Sequence, residues 1–199
     1  MTEGLALFVA YLLGSLPFGM ILVHFFGQGD LRQMGSGNIG ATNVVRTQGK
    51  SLGACAFSLD AGKGIAVCAG WAPFLSDASW LPWIGVSAIC GHCFSCFLKG
   101  RGGKGVATAL GVFLFLTPSV GLVCLLVWGS VFWLSRISSL ASLVSIGSAP
   151  LLLVLFSPSE GEEACLWAYI GMALLIFLRH RANIKRLIHG EEKEFRSTS

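Results

Sequence analysis

Charge is scarce in this chain. Asp, Glu, Lys and Arg make up 12% of its 199 residues, about half the share found in soluble domains. Hydrophobic residues make up 54%, and the mean hydropathy is +0.73. These values exclude a water-soluble globule and indicate an integral membrane protein, too short to carry a sizeable soluble domain as well. No basic n-region precedes the first apolar stretch, and no Ala-x-Ala cleavage site interrupts it. That stretch therefore reads as a retained span rather than a removed signal peptide. A disulfide framework is also missing, because the seven cysteines are odd in number and nearly all lie in apolar segments. Cys90, Cys93 and Cys96 surround His92, but no second ligand pair stands elsewhere at zinc-like spacing. They read as small packing residues, and no metal or other cofactor is expected. There is no G-x-S-x-G nucleophile elbow, and no histidine has an aspartate five residues on. Gly35-x-Gly37-x-x-Gly40 mimics a dinucleotide fingerprint, but it follows an apolar span rather than a strand. No nucleic-acid partner is expected.

What the chain does have is apolar segments, at about 5–26, 52–74, 81–97, 106–116, 119–134, 139–156 and 164–178. The fourth is short, and Thr117-Pro118 parts it from the fifth. Charge decides whether those two are one kinked helix or two. With seven spans, the lysines and arginines gather on one side, including Arg46, Lys104, Arg136 and the Arg179–Arg186 cluster. Glu3, Asp77, Glu160, Glu162 and Glu163 take the other side. Lysine and arginine accumulate in cytoplasmic loops. The expectation is an all-α membrane protein of seven transmembrane helices in one domain, N-terminus outside and C-terminus cytoplasmic. Its cytoplasmic loops are 27–51, 98–105 and 179–199.

Three polar islands then share the cytoplasmic face. The first, Gly35-Ser36-Gly37-Asn38-Ile39-Gly40-Ala41-Thr42-Asn43 with Arg46, combines glycines, hydroxyls, amides and one cation. Such a set suits a phosphate, which backbone N–H groups can approach where glycines leave room. The second, Lys99-Gly100-Arg101-Gly102-Gly103-Lys104-Gly105, opens a helix whose free N–H groups and dipole favour an anion. A flexible basic loop explains its cations but not its glycines. In the third, His180 and Asn183 are spaced to share a helix face. Arg179, Lys185 and Arg186 read there as surface anchors, and the other histidines, His92 included, as structural or exposed. Asp60 and Lys63, three apart inside the second span, are expected to pair and to hold the first island. Ser139 and Ser142 open the sixth span; they either add hydroxyls to the same face or, for Ser139, cap the helix.

Together the islands resemble the acyl-phosphate:glycerol-3-phosphate acyltransferase family of bacterial membranes. The matching text is Gly35–Asn43 with Arg46, Leu59-Asp60 with Lys63-Gly64, Gly91-His92, Lys99–Thr108, Ser139–Ser142 and His180–Leu187. The resemblance implies an inner-membrane enzyme that works on the cytoplasmic side in phospholipid synthesis. It would move the acyl group of an acyl phosphate to the sn-1 hydroxyl of glycerol 3-phosphate, giving lysophosphatidate and phosphate. A soluble enzyme that forms acyl phosphate is an implied hand-over partner. On this reading Ser36, Arg46, Lys104 and His180 are the catalytic candidates. Asn38, Thr42, Asn43, Gly102, Gly103, Gly105, Ser142 and Asn183 would bind substrate, with Asp60, Lys63 and Ser139 in support. Either His180 or a substrate phosphate takes the hydroxyl proton, and the two phosphates can be divided between the islands in either sense. The rival class is a small-anion transporter, which needs a basic path through the membrane; the cations here lie on one face.

Overall fold

A computed structural model describes residues 2–156 and 163–195. Glu160 and Glu162, like the tail from 196 onward, lie outside the described residues. Among those described there are ten α-helices and no strand. They are α1 (Thr2–Gly14), α2 (Phe18–Phe26), α3 (Ala41–Gln48), α4 (Lys50–Trp71), α5 (Leu81–Cys93), α6 (Val106–Leu116), α7 (Pro118–Ser135), α8 (Ser138–Phe156), α9 (Glu163–Arg179) and α10 (Arg181–Ile188).

The bundle is apolar on its outside. Phe8, Leu126, Trp133, Leu151, Trp167 and Leu174 are exposed, which is costly in water and natural in lipid. Inside, small residues let backbones approach, the usual packing device where lipid supplies no hydrophobic drive. A Cβ on Gly111 would strike the backbone of Ala61, and one on Gly64 that of Thr108. These two glycines set the α4–α6 crossing. Gly14 against Ala88 and Gly91 against Tyr11 do the same for α1 and α5. Farther from the site, Phe113 stacks on Tyr169 at 4.3 Å between centroids.

Among the described residues, five helical segments are long and apolar enough to cross a membrane: Thr2–Phe26, Lys50–Phe74, Ala78–Leu98, Pro118–Ser135 and Ser138–Phe156. The pair α9 and α10, bent by 66°, makes up to six. Helix α6 has 11 residues, roughly 16 Å at the helical rise, about half a hydrocarbon core. It is nonetheless a separate element from α7. Thr117 leaves the helical region at φ −143°, ψ 84°, and Gly121 packs on the Leu114 backbone.

Two apolar stretches end or break where the sequence pattern ran on. The first breaks at 15–17, ahead of α2. The carbonyls freed there are taken by polar side chains: Lys63 Nζ donates to Leu16 O (3.0 Å) and Ser95 Oγ to Ser15 O (2.6 Å). A backbone break at membrane depth is tolerable when its groups are satisfied in this way. The third stretch stops at Cys93, short of the expected Phe97. Phe94 and Ser95 turn the chain, and a 3-10 turn follows over Cys96–Leu98. Cys96 therefore does not continue the stripe of Cys90 and Cys93.

One pole of the bundle collects the starts of α4, α6 and α8 and the ends of α5, α7 and α9. The start of α1 lies at the other pole, where Ser76 Oγ, past the end of α4, donates to Glu3 (3.2 Å).

Candidate active site

At the first pole a cleft of about 390 Å³ opens between the loops, within the range of small-molecule sites. Its lining includes Ser36, Asn38, Thr42, Asn43, Arg46, Asp60, Lys104, Gly105, Ser139, Ser142, His180 and Asn183. Residues from three islands and two helices, spread over most of the sequence, thus share one space. Gly102, Gly103 and Lys63 are not among the lining residues.

The first island is folded largely by Asn43. Its Oδ1 accepts the Ser36 N–H at 2.8 Å, and its Nδ2 donates to the carbonyls of Leu31, Met34 and Asn38 at 2.8–3.2 Å. Asn43 borders the cleft, but its amide is committed to the loop. It braces the loop from the border of the cleft. Asn38 Oδ1 accepts from Gly40 N–H (2.8 Å), closing the turn that starts α3. Helix α3 then lies on the first turns of α4, where a Cβ on Gly53 would meet Val45. This seats Arg46 over the cleft. Its guanidinium stands 5.7 Å from the centroid of the Phe195 ring. Thr42 Oγ1 and Ser138 Oγ, 3.0 Å apart, tie the island to α8.

The second island is held from outside. Arg179 donates to the carbonyls of Gly103 (3.1 Å) and Gly102 (3.0 Å), its guanidinium 5.2 Å from the Phe94 centroid. It is a clamp, not the surface anchor expected. The Gly103 N–H donates to His92 O (2.9 Å), so that N–H is not left for an anion. Gly105 takes φ 86°, a conformation suited to glycine, and starts α6. Lys104 is thereby aimed across the cleft, and its Nζ donates to Asn183 Oδ1 at 2.6 Å.

The third island is fixed by a residue the sequence did not single out. Glu192 accepts from Asn183 Nδ2 (2.6 Å), Ser139 Oγ (2.6 Å) and Arg186 Nε (2.5 Å). The only sequence signal was an acidic residue close behind a basic cluster. Arg186 also lines the cleft, as do Ser138 and Trp128. Trp128 Nε1 donates to Ser142 Oγ (3.1 Å), which itself donates to Ser138 O (2.8 Å).

Electrostatics follow from this crowding. Burial pushes the Lys104 ammonium down to about 8; Glu192 opposes the shift, while Arg186, Arg46 and Arg179 add to it. His180 is 2% exposed, and burial, then Lys104, push it down to about 4. It is therefore neutral at pH 7. Because its Nδ1 meets Ile176 O at 2.8 Å, the proton sits on Nδ1 and Nε2 keeps a lone pair. Burial raises Glu192, but hydrogen bonds from Ser139, Asn183 and Arg186 outweigh that and hold it below the usual glutamate range.

Asp60 and Lys63 form the expected ion pair, 2.8 Å apart. They do not hold the first island. Lys63 turns instead to the α1–α2 break and to Nδ1 of His92 at 2.8 Å. His92, read from the sequence as structural or exposed, is buried, 6% exposed, and lines the cleft together with Asp60.

The fold and cleft define a class: a multi-pass helical membrane protein with a cleft at its charged pole, lined by Arg46, Lys104 and Arg186 and by the apolar Phe57, Val106 and Ala107. Residues 4–190 match the family model described as glycerol-3-phosphate acyltransferase. A glycerol-3-phosphate acyltransferase of Jannaschia sp. (strain CCS1) is 46% identical over 98% of this chain and 94% of its own. One from Paramagnetospirillum magneticum is 45% identical over 92% of this chain and 88% of its own. Among solved structures, PlsY, an integral membrane glycerol 3-phosphate acyltransferase, superposes in its glycerol 3-phosphate form with a TM-score of 0.91. It is 40% identical, covering 98% of this chain and 96% of that one. Its lysophosphatidic acid form gives 0.90 at 38% identity, covering 98% and 96%. The chain belongs to the glycerol-3-phosphate acyltransferase family, and it is an acyltransferase.

Proposed function

We propose that the protein transfers the acyl group of an acyl phosphate to the sn-1 hydroxyl of glycerol 3-phosphate. The products are lysophosphatidate and inorganic phosphate. The observation that carries this reading is a single cleft in which Arg46, Lys104 and Arg186 converge beside an apolar wall. Two phosphates need such cations, and an acyl chain needs the wall.

The residue chemistry supports direct transfer. The hydroxyl oxygen attacks the acyl carbonyl, the carbon–oxygen bond to phosphate breaks, and phosphate leaves with the electron pair. Phosphate is a good leaving group, so no covalent enzyme intermediate is needed. Arg46, Lys104, His180 and Asn183 hold glycerol 3-phosphate. Ser36, Asn38, Thr42 and the N–H of Gly105 hold the acyl phosphate and stabilise charge on the carbonyl oxygen. Neutral His180 offers Nε2 to the attacking hydroxyl. With its proton affinity depressed to about 4, it is a weak base. A substrate phosphate oxygen is the better proton acceptor, and His180 positions the hydroxyl.

Seven crossings, N-terminus outside, are supported by the alternation of segment ends at the cleft pole. This topology puts the cleft in the cytoplasm of a bacterial inner membrane, where a soluble acyl-phosphate-forming enzyme can hand over its product. A reporter fused after Pro118 should then report a non-cytoplasmic location.

The activity test uses purified protein in detergent with palmitoyl phosphate and glycerol 3-phosphate. Release of phosphate together with lysophosphatidate is expected, and palmitoyl-CoA should not substitute. No turnover, or equal turnover with palmitoyl-CoA, would remove the acyl-phosphate reading.

A further inference from the structure

His92 stands between a buried ion pair, which the proposed mechanism does not use, and the glycine loop that carries Lys104. Lys63 has three N–H donors, and three acceptors surround it. They are Leu16 O at 3.0 Å, Asp60 Oδ1 at 2.8 Å and His92 Nδ1 at 2.8 Å. His92 Nδ1 also lies 3.5 Å from Asp60 Oδ1, but its shorter contact is with the ammonium, which cannot accept, and this assigns Nδ1 as the acceptor. The ring proton of the neutral imidazole is then on Nε2. Asp60 neutralises Lys63, and the group as a whole carries no net charge into the bundle.

The Nε2 end of the ring lies beside Gly103, where any Cβ would collide with it. The backbone of His92 also holds that loop, through Gly103 N–H to His92 O at 2.9 Å. The ring borders the cleft, and Nε2 hydrogen bonds to nothing among the described residues. The ring is more than nine-tenths buried, so the cleft it borders is where the Nε2–H can meet a partner. It shares its wall with Asp60 and Phe57, three apart on one face of α4, and with Val106 and Ala107. Phe57, Val106 and Ala107 supply apolar lining to the same cleft, of the kind an acyl chain needs.

We infer that His92 is a further substrate-binding residue, its Nε2–H donating a hydrogen bond to an oxygen of the acyl donor, with Lys63 and Asp60 as the positioning residues that fix its tautomer. The inference rests on the acyl-phosphate reading of the same cleft. The oxygen belongs either to the phosphate or to the carbonyl, and kinetics separate the two. A donor to the ground-state phosphate lowers KM for acyl phosphate, whereas one to the developing oxyanion raises kcat.

The test compares His92→Gln with His92→Asn in the purified full-length protein. Glutamine can place an N–H near the Nε2 position; asparagine reaches only the Nδ1 position. His92→Asn should lose about tenfold or more, in kcat or in KM for palmitoyl phosphate, with KM for glycerol 3-phosphate within about twofold. His92→Gln should recover to within about fivefold of wild type. Elution and thermal midpoint in detergent identify variants that fail to fold. A second readout does not depend on turnover: in 15N-histidine-labelled wild type, His92 should show a protonated Nε2 and a bare Nδ1. Addition of palmitoyl phosphate alone should shift Nε2. Equal activity of the two variants, a rise confined to KM for glycerol 3-phosphate, or a protonated Nδ1 would overturn the inference. If wild type releases no phosphate from palmitoyl phosphate, the acyl-donor reading fails first and takes this one with it. If wild type turns over and the variants do not differ, only the role of His92 falls.

Discussion

The loop before α3 is organised by a side chain from the first turn of that helix, whereas the loop before α6 is organised by residues from other helices. Asn43 alone gathers the Ser36 N–H and the carbonyls of Leu31, Met34 and Asn38. Gly102 and Gly103 are instead gripped by Arg179 and by the backbone of His92. A self-braced loop depends less on the rest of the bundle, to which Thr42 and Ser138 tie it. An externally clamped loop reports the arrangement of α5 and α9, and is shaped only when the bundle is assembled. The difference also divides the chemistry. Arg46 sits on a rigid short helix, while Lys104 sits on a loop whose position depends on two other helices.

Breaking the self-braced loop should do the most damage. Asn43→Ala leaves the Ser36 N–H and the Asn38 carbonyl without their partner, while Met34 O and Leu31 O keep backbone donors; each buried unsatisfied group costs about 1–3 kcal/mol. Activity should fall by more than about 100-fold, since Arg46 and Ser36 lose their register with the cleft. The loss should appear in kcat and in both KM values. Proteolysis should show faster nicking between residues 30 and 40, with the thermal midpoint of the bundle little changed. Intact loop protection in an inactive Asn43→Ala would mean that Asn43 contacts substrate after all.

Loosening the clamped loop should cost less. Arg179→Gln removes two charge-assisted bonds to carbonyls, of about 1.5–3 kcal/mol each at most, while His92 still holds Gly103. We expect a rise of roughly tenfold in KM for the substrate bound by Lys104. Arg179→Lys should recover only part of it, because one ammonium cannot reproduce the planar fork. Equal losses from Arg179→Gln and Asn43→Ala would erase the distinction between the loops.

The same contrast explains how much the sequence could show. Asn43 stands inside the motif it folds, so Gly35–Arg46 announced itself as a unit. Lys104, His180 and Asn183 were legible as cations and amides at glycine or helix boundaries, and the cleft brings them together. Arg179 looked like a membrane anchor because its targets, Gly102 and Gly103, lie 76 or more residues away. Glu192 was hidden by its neighbours in a mixed-charge tail, although Ser139, Asn183 and Arg186 all donate to it. His92 was hidden among cysteines, and only the α4–α5 packing shows that Lys63 reaches it. Long-range partners of a polar group leave no periodicity to read. The apolar pattern located the apolar helices but overran the breaks at 15–17 and after Cys93, because a break satisfied by side chains needs no change in hydropathy.

The smallest expected effect is a pH dependence that separates binding from stability. Burial lowers Lys104 to about 8, below the roughly 10.4 of an unfolded lysine. Between these values the unfolded chain binds more protons than the folded one, so the contribution of Lys104 makes folded stability rise with pH there. Below pH 8 both states are protonated and the contribution levels off at its least favourable value. Substrate affinity runs the other way, because the phosphate needs the ammonium. A bound dianion raises the folded value, so the loss above pH 8 should stay under about tenfold per unit. KM for glycerol 3-phosphate should therefore be flat up to about pH 8 and climb gently above it, while the thermal midpoint does not fall in step. Lys104→Arg, whose charge persists, should abolish the climb. A climb that survives in Lys104→Arg would assign the titration to another group and leave the clamped loop without a pH-sensitive cation.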